Sequence, residues 1–169
     1  MKVYFSHGKE SGPWGSKIKR LADIATNNGF NVESIDYSGM LDPDKRVKRL
    51  IDLLENEKED VVLVGSSMGG YVSLIASEKI KPKGLFLLAP ALYIHGYEKQ
   101  SYKKLTDIEI VHGWSDEVIP PENSIRFAKE TNSNLHLIDG DHRLNSSLHI
   151  IEKLFSQFLN RVIASKINT

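Results

Sequence analysis

Residues 61–70 read Val-Val-Leu-Val-Gly-Ser-Ser-Met-Gly-Gly, and this stretch decides the fold. Its four consecutive branched apolar residues predict a strand that is buried on both faces, as in a parallel sheet. The Gly-x-Ser-x-Gly pattern that follows is centred on Ser67, and a helical pattern runs from Tyr71 onward. A strand, a sharp turn and a helix with serine at the apex form a nucleophile elbow. Gly65 and Gly69 provide the small residues that the close approach of strand and helix requires.

Two alternatives compete with this interpretation of the motif. A plain strand-to-helix turn also uses glycine and serine, because both residues are common in turns. A phosphate-binding loop would need Lys-Ser or Lys-Thr after the last glycine, where this chain has Tyr71-Val72. The decision between a plain turn and a nucleophile therefore depends on whether an acid and a histidine follow in suitable positions.

Length and composition limit the class of protein. The chain has 169 residues, of which 40% are hydrophobic and 26% are charged, so we expect one globular domain over residues 1–169. Lysine plus arginine equals aspartate plus glutamate at 22 each, which gives no reason to expect nucleic acid or a membrane as partner. The absence of cysteine excludes disulfides and thiolate metal sites. Without a signal peptide or a long apolar run, a cytoplasmic location is expected.

Short apolar strands alternate with amphipathic helices along the chain. This alternation predicts an α/β fold with a doubly wound, mostly parallel six-stranded sheet and helices on both faces. The segment 91–106 has no clean period and is expected to be irregular. The predicted strands are Val3–Phe5, Asn31–Tyr37, Val61–Val64, Leu85–Leu88, Ile108–Val111 and Leu135–Ile138. The predicted helices begin near Ser16, Pro43, Tyr71, Pro121 and Ser146.

Polar residues with catalytic potential follow four of these strands. His7-Gly8 comes after the first strand, Ser67 after the third, Asp116 after the fifth and His142 after the sixth. In a doubly wound sheet the sites lie beyond the carboxyl ends of the strands, so these residues are expected at one edge. Serine, acid and histidine occur in this order along the chain, which favours the nucleophile over a plain turn.

The chain resembles a small, single-domain α/β-hydrolase of the serine-esterase type over nearly its whole length. The matching motifs are Ser-His-Gly at 6–8, Gly-Ser-Ser-Met-Gly at 65–69, His-Gly-Trp-Ser-Asp-Glu-Val-Ile-Pro at 112–120 and Gly-Asp-His at 140–142. Family members usually carry two further strands before the one that ends in His-Gly, so the resemblance implies a minimal form of the fold. It also implies little or no lid, because the segment 91–106 is short where many members insert one.

By this resemblance and by its chemistry, Ser67 is the expected nucleophile and His142 the general base. Asp116 is expected to hold the imidazole, and it is preferred to Glu117 because Val118-Ile119-Pro120 follows it in the family's pattern. A solvated loop histidine and a turn aspartate remain the structural alternatives for His142 and Asp116.

By analogy with the family, the oxyanion hole is expected to consist of two backbone N–H groups, those of Met68 and Lys9. His7 is expected to orient the loop, and His112 to be a strand-end histidine. The other histidines show no metal-ligand spacing, so no metal and no cofactor is expected.

The expected reaction is hydrolysis of a small-molecule carboxylic ester or thioester through an acyl-serine intermediate, with amide hydrolysis not excluded. Trp14 and Tyr93 are candidates for lining the substrate pocket, and ordinary surface packing is the alternative for both. A binding or interaction module on a hydrolase scaffold is the competing class of function. The sequence makes no prediction of the oligomeric state.

Overall fold

The computed structural model describes residues 1–104 and 106–167, so Leu105 of the predicted irregular segment lies outside the described residues. Strands and helices alternate as predicted. The strands are β1 Lys2–Ser6, β2 Asn31–Ile35, β3 Val61–Ser66, β4 Gly84–Leu88, β5 Ile108–Gly113 and β6 Asn134–Ile138. The helices are α1 Ser16–Asn27, α2 Pro43–Leu54, α3 Met68–Ile80, α4 Pro121–Thr131 and α5 Leu148–Ile167.

The described strands form a six-stranded sheet in the order β2-β1-β3-β4-β5-β6, and every neighbouring pair is parallel. This confirms the predicted doubly wound sheet. The chain moves outward from β1 to β2 and then crosses back over β1 to reach β3. The strand order therefore reverses beside β1 and β3, which is where sheets of this type place their sites.

Apolar side chains of the sheet pack on both faces. Within β3, Val62 and Val64 belong to the cluster on one face, and Val61 and Leu63 to the cluster on the other. This alternation is the period of two that a strand imposes on its side chains. The first face is covered by α1 and α5, and the second by α2, α3 and α4. No helix within the described ranges is long and apolar enough to cross a membrane.

Of the element boundaries that differ from the prediction, two have identifiable reasons. The third helix begins at Met68 and not at Tyr71, because Gly69 and Gly70 have low helix propensity and hide the start of the periodic pattern. The second strand ends at Ile35 and not at Tyr37, whose N–H donates to His7 Nε2 and not to a neighbouring strand. The first difference has a local cause, and the second is decided by a contact between residues 30 positions apart.

Candidate active site

Ser67 occupies the tight turn between β3 and α3. Its backbone has φ 54° and ψ −120°, a region that non-glycine residues rarely adopt. A Cβ added to Gly65 would lie 2.3 Å from the carbonyl oxygen of Gly69, so strand and helix do meet there. A Cβ on Gly69 would lie 2.0 Å from the carbonyl oxygen of Ser6. The close approach of α3 to β1, and not to β3, therefore requires glycine at this position. Only glycine fits at either position.

The side chains of Ser67, His142 and Asp116 form one hydrogen-bonded chain. The Ser67 Oγ lies 3.0 Å from His142 Nε2, and His142 Nδ1 lies 2.7 Å from Asp116 Oδ2. The carboxylate of Asp116 can only accept, so His142 Nδ1 carries the proton and Nε2 is free to accept from the serine hydroxyl. The three residues that the sequence separates by up to 75 positions are thus brought together in the order that proton transfer requires.

The Asp116 carboxylate is buried and accepts from several donors at once. Its Oδ1 accepts from the N–H groups of Val118 at 2.9 Å and Ile119 at 2.8 Å. Burial alone would raise the pKa of Asp116, but the hydrogen bonds from His142, Ile119 and Val118 outweigh it and hold the pKa below its usual value. Asp116, the acid beside His142, is therefore ionised at neutral pH. The neighbouring Glu117 is exposed.

A second histidine, His112, also contacts Asp116. Its Nε2 lies 3.0 Å from Asp116 Oδ2 and 3.0 Å from the carbonyl oxygen of Ile119, so it carries a proton shared by two acceptors. Its Nδ1 then accepts from the hydroxyl of Ser124 at 2.7 Å. Burial lowers the pKa of His112, which keeps this ring neutral. His112 is thus more than a strand-end residue, since it donates to the same Asp116 oxygen that accepts from His142.

Backbone contacts join the loop that carries His142 to the loop that carries Asp116. The N–H of Trp114 donates to the carbonyl of Ile138, and the N–H of Ser115 donates to that of Gly140. A Cβ on Gly113 would lie 2.2 Å from the Gly140 oxygen, so the two loops touch through their backbones. These contacts fix the distance between acid and histidine without help from either side chain.

Lys17, at the start of α1, reaches the same region from the other side. Its Nζ donates to the carbonyl of Arg143, the residue after His142, at 3.0 Å. Burial lowers the pKa of Lys17 to about 8, and the charges of Asp141 and Asp116 oppose that effect. This lysine therefore joins helix α1 to the histidine loop.

Two backbone N–H groups close to Ser67 have no hydrogen-bond partner among the described residues. Within the described ranges, neither the N–H of Met68, at the start of α3, nor that of Lys9 makes a hydrogen bond. Gly8 lies directly beside the serine, because a Cβ added to it would be 3.5 Å from Ser67 Cβ. Both sequence-predicted oxyanion donors thus have free N–H groups.

The two candidate substrate-binding residues differ in their surroundings. Trp14 is 43% exposed on the loop between β1 and α1, so it remains a candidate for contact with substrate. The Tyr93 hydroxyl donates to Glu130 at 2.6 Å, and Arg126 lies over its ring at 4.0 Å. We therefore assign Tyr93 to packing against the later half of α4. Other residues of its segment also bond to α2, α3 and α4: the N–H of Glu98 donates to Asp44 of α2, and the N–H of Lys99 donates to the Tyr71 hydroxyl of α3. Asn123 of α4 donates to the carbonyl of Leu92.

The sequence-based interpretation missed Ser124 and Arg46. Ser124 gives no signal of its own, because a serine in the first turns of a helix is ordinary. Arg46 does give one, since it lies four residues before Leu50 and therefore on the apolar face of α2. An arginine at a core-facing position needs a polar partner inside the protein.

The model of an uncharacterised protein family, UPF0227, matches residues 1–98, which is more than half of the chain. The chain belongs to UPF0227. The part matched by this family model includes Ser67 and the loop after β1, and it ends before Asp116 and His142. No curated protein matches the UPF0227 chain in sequence.

Solved structures match the UPF0227 chain over nearly its whole length. A protein of the α/β hydrolase superfamily from Xanthomonas campestris pv. campestris has 31% identity and a TM-score of 0.87, covering 95% of this chain and 98% of its own. Est1E from Butyrivibrio proteoclasticus has 20% identity and a TM-score of 0.81, covering 96% and 88%. A Xanthomonas campestris α/β serine hydrolase without a lid has 18% identity and a TM-score of 0.68, covering 94% and 81%. The fold is that of the α/β hydrolases.

Proposed function

We propose that this protein is a serine hydrolase that cleaves a carboxylic ester or thioester of a small molecule through an acyl-serine intermediate. The observation that carries the proposal is the hydrogen-bonded chain from Ser67 through His142 to Asp116 at the carboxyl edge of the sheet. A serine hydroxyl is a weak nucleophile unless a base lies within hydrogen-bond reach. The two hydrolases among the similar structures support the same class of reaction.

In the acylation step, Ser67 Oγ attacks the carbonyl carbon of the ester while its proton passes to His142 Nε2. The carbonyl oxygen becomes an oxyanion, which the N–H groups of Met68 and Lys9 stabilise. Asp116 keeps the proton on Nδ1 and stabilises the imidazolium that forms. His142 then protonates the leaving alcohol or thiol, and the acyl group remains on the serine oxygen.

In the second step, a water molecule loses its proton to His142 Nε2 and attacks the acyl-serine carbonyl. The same two N–H groups stabilise the second oxyanion. Its collapse releases the carboxylic acid, and Ser67 recovers its proton from His142. Each proton taken by the histidine is returned within the cycle, so the mechanism needs no further acid or base.

The first test replaces the nucleophile. Ser67→Ala is expected to lower kcat for a p-nitrophenyl ester by on the order of 10⁴-fold or more, and to abolish labelling by a fluorophosphonate probe. Ser66→Ala is the matched control, since Ser66 precedes the turn, and should retain most of the activity. Labelling retained in the Ser67→Ala variant would remove the nucleophile assignment. An unlabelled, inactive wild-type protein would instead favour a binding module.

The second test concerns the acid. Asp116→Asn is expected to leave a folded protein with kcat lowered by on the order of 10⁴-fold, because the amide can donate to Nδ1 and so favour the wrong tautomer of His142. Glu117→Gln is the matched control and should keep wild-type kinetics, since Glu117 is exposed. Full activity in Asp116→Asn would overturn the choice of acid.

The acyl group is best identified with a panel of p-nitrophenyl esters of graded chain length. A feruloyl ester belongs in the panel because Est1E, one of the structurally similar proteins, binds ferulic acid.

Trp14→Ala is expected to raise KM for the preferred ester with little change in kcat if the exposed indole contacts substrate. An unchanged KM would assign Trp14 to the surface.

A further inference from the structure

Arg46 is a charged residue that lies wholly inside the protein. Its exposed fraction is 0%, and no carboxylate of the described residues forms an ion pair with it. Burial lowers the pKa of the guanidinium, but arginine stays charged in proteins. A buried charge is costly unless hydrogen bonds compensate for it. The acceptors that Arg46 uses therefore indicate its role.

All the acceptors of Arg46 are backbone carbonyls, and most belong to the loop after β1. Nη1 donates to the carbonyl of His7 at 3.0 Å and to that of Gly8 at 3.2 Å, and Nη2 lies 3.5 Å from the Lys9 oxygen. Nε donates to Met40 at 2.6 Å, which fixes the guanidinium itself. One planar cation thus holds three consecutive carbonyls of the loop beside Ser67.

The ring of His7 adds a second donor to the same loop. Its Nε2 accepts from the N–H of Tyr37 at 2.9 Å, so the ring proton is on Nδ1. Nδ1 then donates to the carbonyl oxygen of Gly8 at 2.7 Å. The Gly8 oxygen is therefore held by both His7 and Arg46, and the Gly8–Lys9 peptide has little freedom to rotate.

The orientation of these carbonyls determines the orientation of the N–H groups. A trans peptide unit is planar, so its C=O and its N–H point in opposite directions. With the Gly8 carbonyl turned toward Arg46, the N–H of Lys9 points away from the guanidinium. Within the described part of the chain this N–H has no protein partner, and the adjoining Gly8 lies against Ser67. The cation also polarises the peptide units and makes their N–H groups better donors.

We propose that Arg46 is a positioning residue for the oxyanion hole, acting through the carbonyls of residues 7–9 to hold the Lys9 N–H toward the oxygen of the tetrahedral intermediate. The residue does not touch the substrate. This inference rests on the proposed serine hydrolase function, because only that chemistry forms an oxyanion at Ser67.

The kinetic test compares Arg46→Met with Arg49→Met, an exposed arginine on the same helix. Arg46→Met is expected to lower kcat for a p-nitrophenyl ester on the order of 10²-fold, as loss of one oxyanion donor does, with KM changed by less than about threefold. The affinity for a trifluoromethyl ketone, which forms a tetrahedral adduct with the serine, should fall in proportion to kcat/KM. The acid limb of the pH profile should not move, because the histidine is untouched. Arg49→Met should match wild type throughout.

A purely structural role predicts a different result. It would lower the melting temperature of Arg46→Met while leaving kcat and inhibitor affinity of the folded protein at wild-type values, and that outcome overturns the proposal. If Arg46→Met does not fold, Arg46→Gln is measured in its place, since one amide cannot reach three carbonyls. Arg46→Lys, which keeps the cation, is expected to recover part of the lost kcat.

A structural measurement separates this inference from the proposed function. Backbone amide NMR shifts of Gly8 and Lys9 should change in the folded Arg46 variant and not in Arg49→Met, whether or not the protein hydrolyses esters. Unchanged shifts would overturn the role of Arg46 even in an active enzyme. A wild-type protein that neither turns over esters nor reacts with a fluorophosphonate would overturn the hydrolase, and the oxyanion role with it.

Discussion

The orientation of Asp116 depends on a residue that never meets Ser67. His112 donates to Asp116 Oδ2, the same oxygen that accepts from His142. His112→Phe keeps a planar aromatic ring, somewhat larger than imidazole, and removes this donor, so we expect kcat/KM to fall about tenfold, or roughly 1.4 kcal/mol of transition-state stabilisation. Steady-state kinetics on a p-nitrophenyl ester measures this.

The same substitution leaves the buried Ser124 hydroxyl without its partner, which costs about 1–3 kcal/mol of unfolding free energy. The double variant His112→Phe, Ser124→Ala is the control, because it removes both polar groups. It should recover most of the stability and none of the activity. Recovery of activity together with stability would mean that His112 acts only on the fold.

The catalytic candidates that the sequence predicts most directly are those that come just after a predicted strand. Ser67, Asp116 and His142 each follow an apolar strand, and parallel topology brings such positions to one edge. His112 and Ser124 could not be paired in this way, because their contact depends on how α4 packs against β5. The same holds for Arg46, whose partners lie in a loop 37–39 residues away.

At the level of elements, the start of α3 is packed too closely for any side chain at position 69. Gly69→Ala would place a Cβ 2.0 Å from the backbone oxygen of Ser6, so β1 and α3 would have to separate. We expect a loss of about 3 kcal/mol or more of unfolding free energy, or no folded protein. Gly12→Ala is the matched control, since its Cβ would meet nothing within 4 Å, and should change stability by less than about 0.5 kcal/mol. Urea unfolding of both variants tests this, and a stable Gly69→Ala would show that strand and helix can move apart.

The spacing of apolar residues predicts each strand of the sheet and each helix that covers it, because every one of them has an apolar run or stripe on its buried face. This spacing misplaces the start of α3, because Gly69 and Gly70 contribute no hydrophobic side chain. It also misplaces the end of β2, because the N–H of Tyr37 donates to the His7 side chain and not to a neighbouring strand. The helix α2 was the clearest of all. Asp42 caps it, with Oδ1 accepting from the N–H groups of Asp44 and Lys45, and Pro43 follows at the first position.

In the molecule as a whole, the candidate site is assembled from parts that belong to both layers. The loop after β1 is held from α2 on one face, and the histidine loop is held by Lys17 from α1 on the other. Ser67 lies between them on the central strand β3. Because the sheet separates the two apolar clusters, a change in either layer reaches the site through a different loop.

The stability of the whole molecule should depend on pH through its two fully buried histidines, His7 and His112. Burial lowers the pKa of both rings, whereas in the unfolded chain they return to about 6.5. Below that pH the unfolded state binds more protons than the folded state, so the unfolding free energy falls as pH falls, by up to about 1.4 kcal/mol per pH unit for each histidine. Above about pH 7 this contribution is fully present. The depressed pKa of Asp116 adds a second loss of unfolding free energy only below about pH 4, where unfolded aspartates protonate.

Urea unfolding at intervals from pH 8 to pH 5 measures the pH range in which the two histidines act. The variant His112→Phe, Ser124→Ala should show a shallower slope than wild type, and the exposed-site control His95→Gln should keep the wild-type slope. A wild-type unfolding free energy that stays constant from pH 7 to pH 5 would mean that these rings are protonated without cost inside the fold.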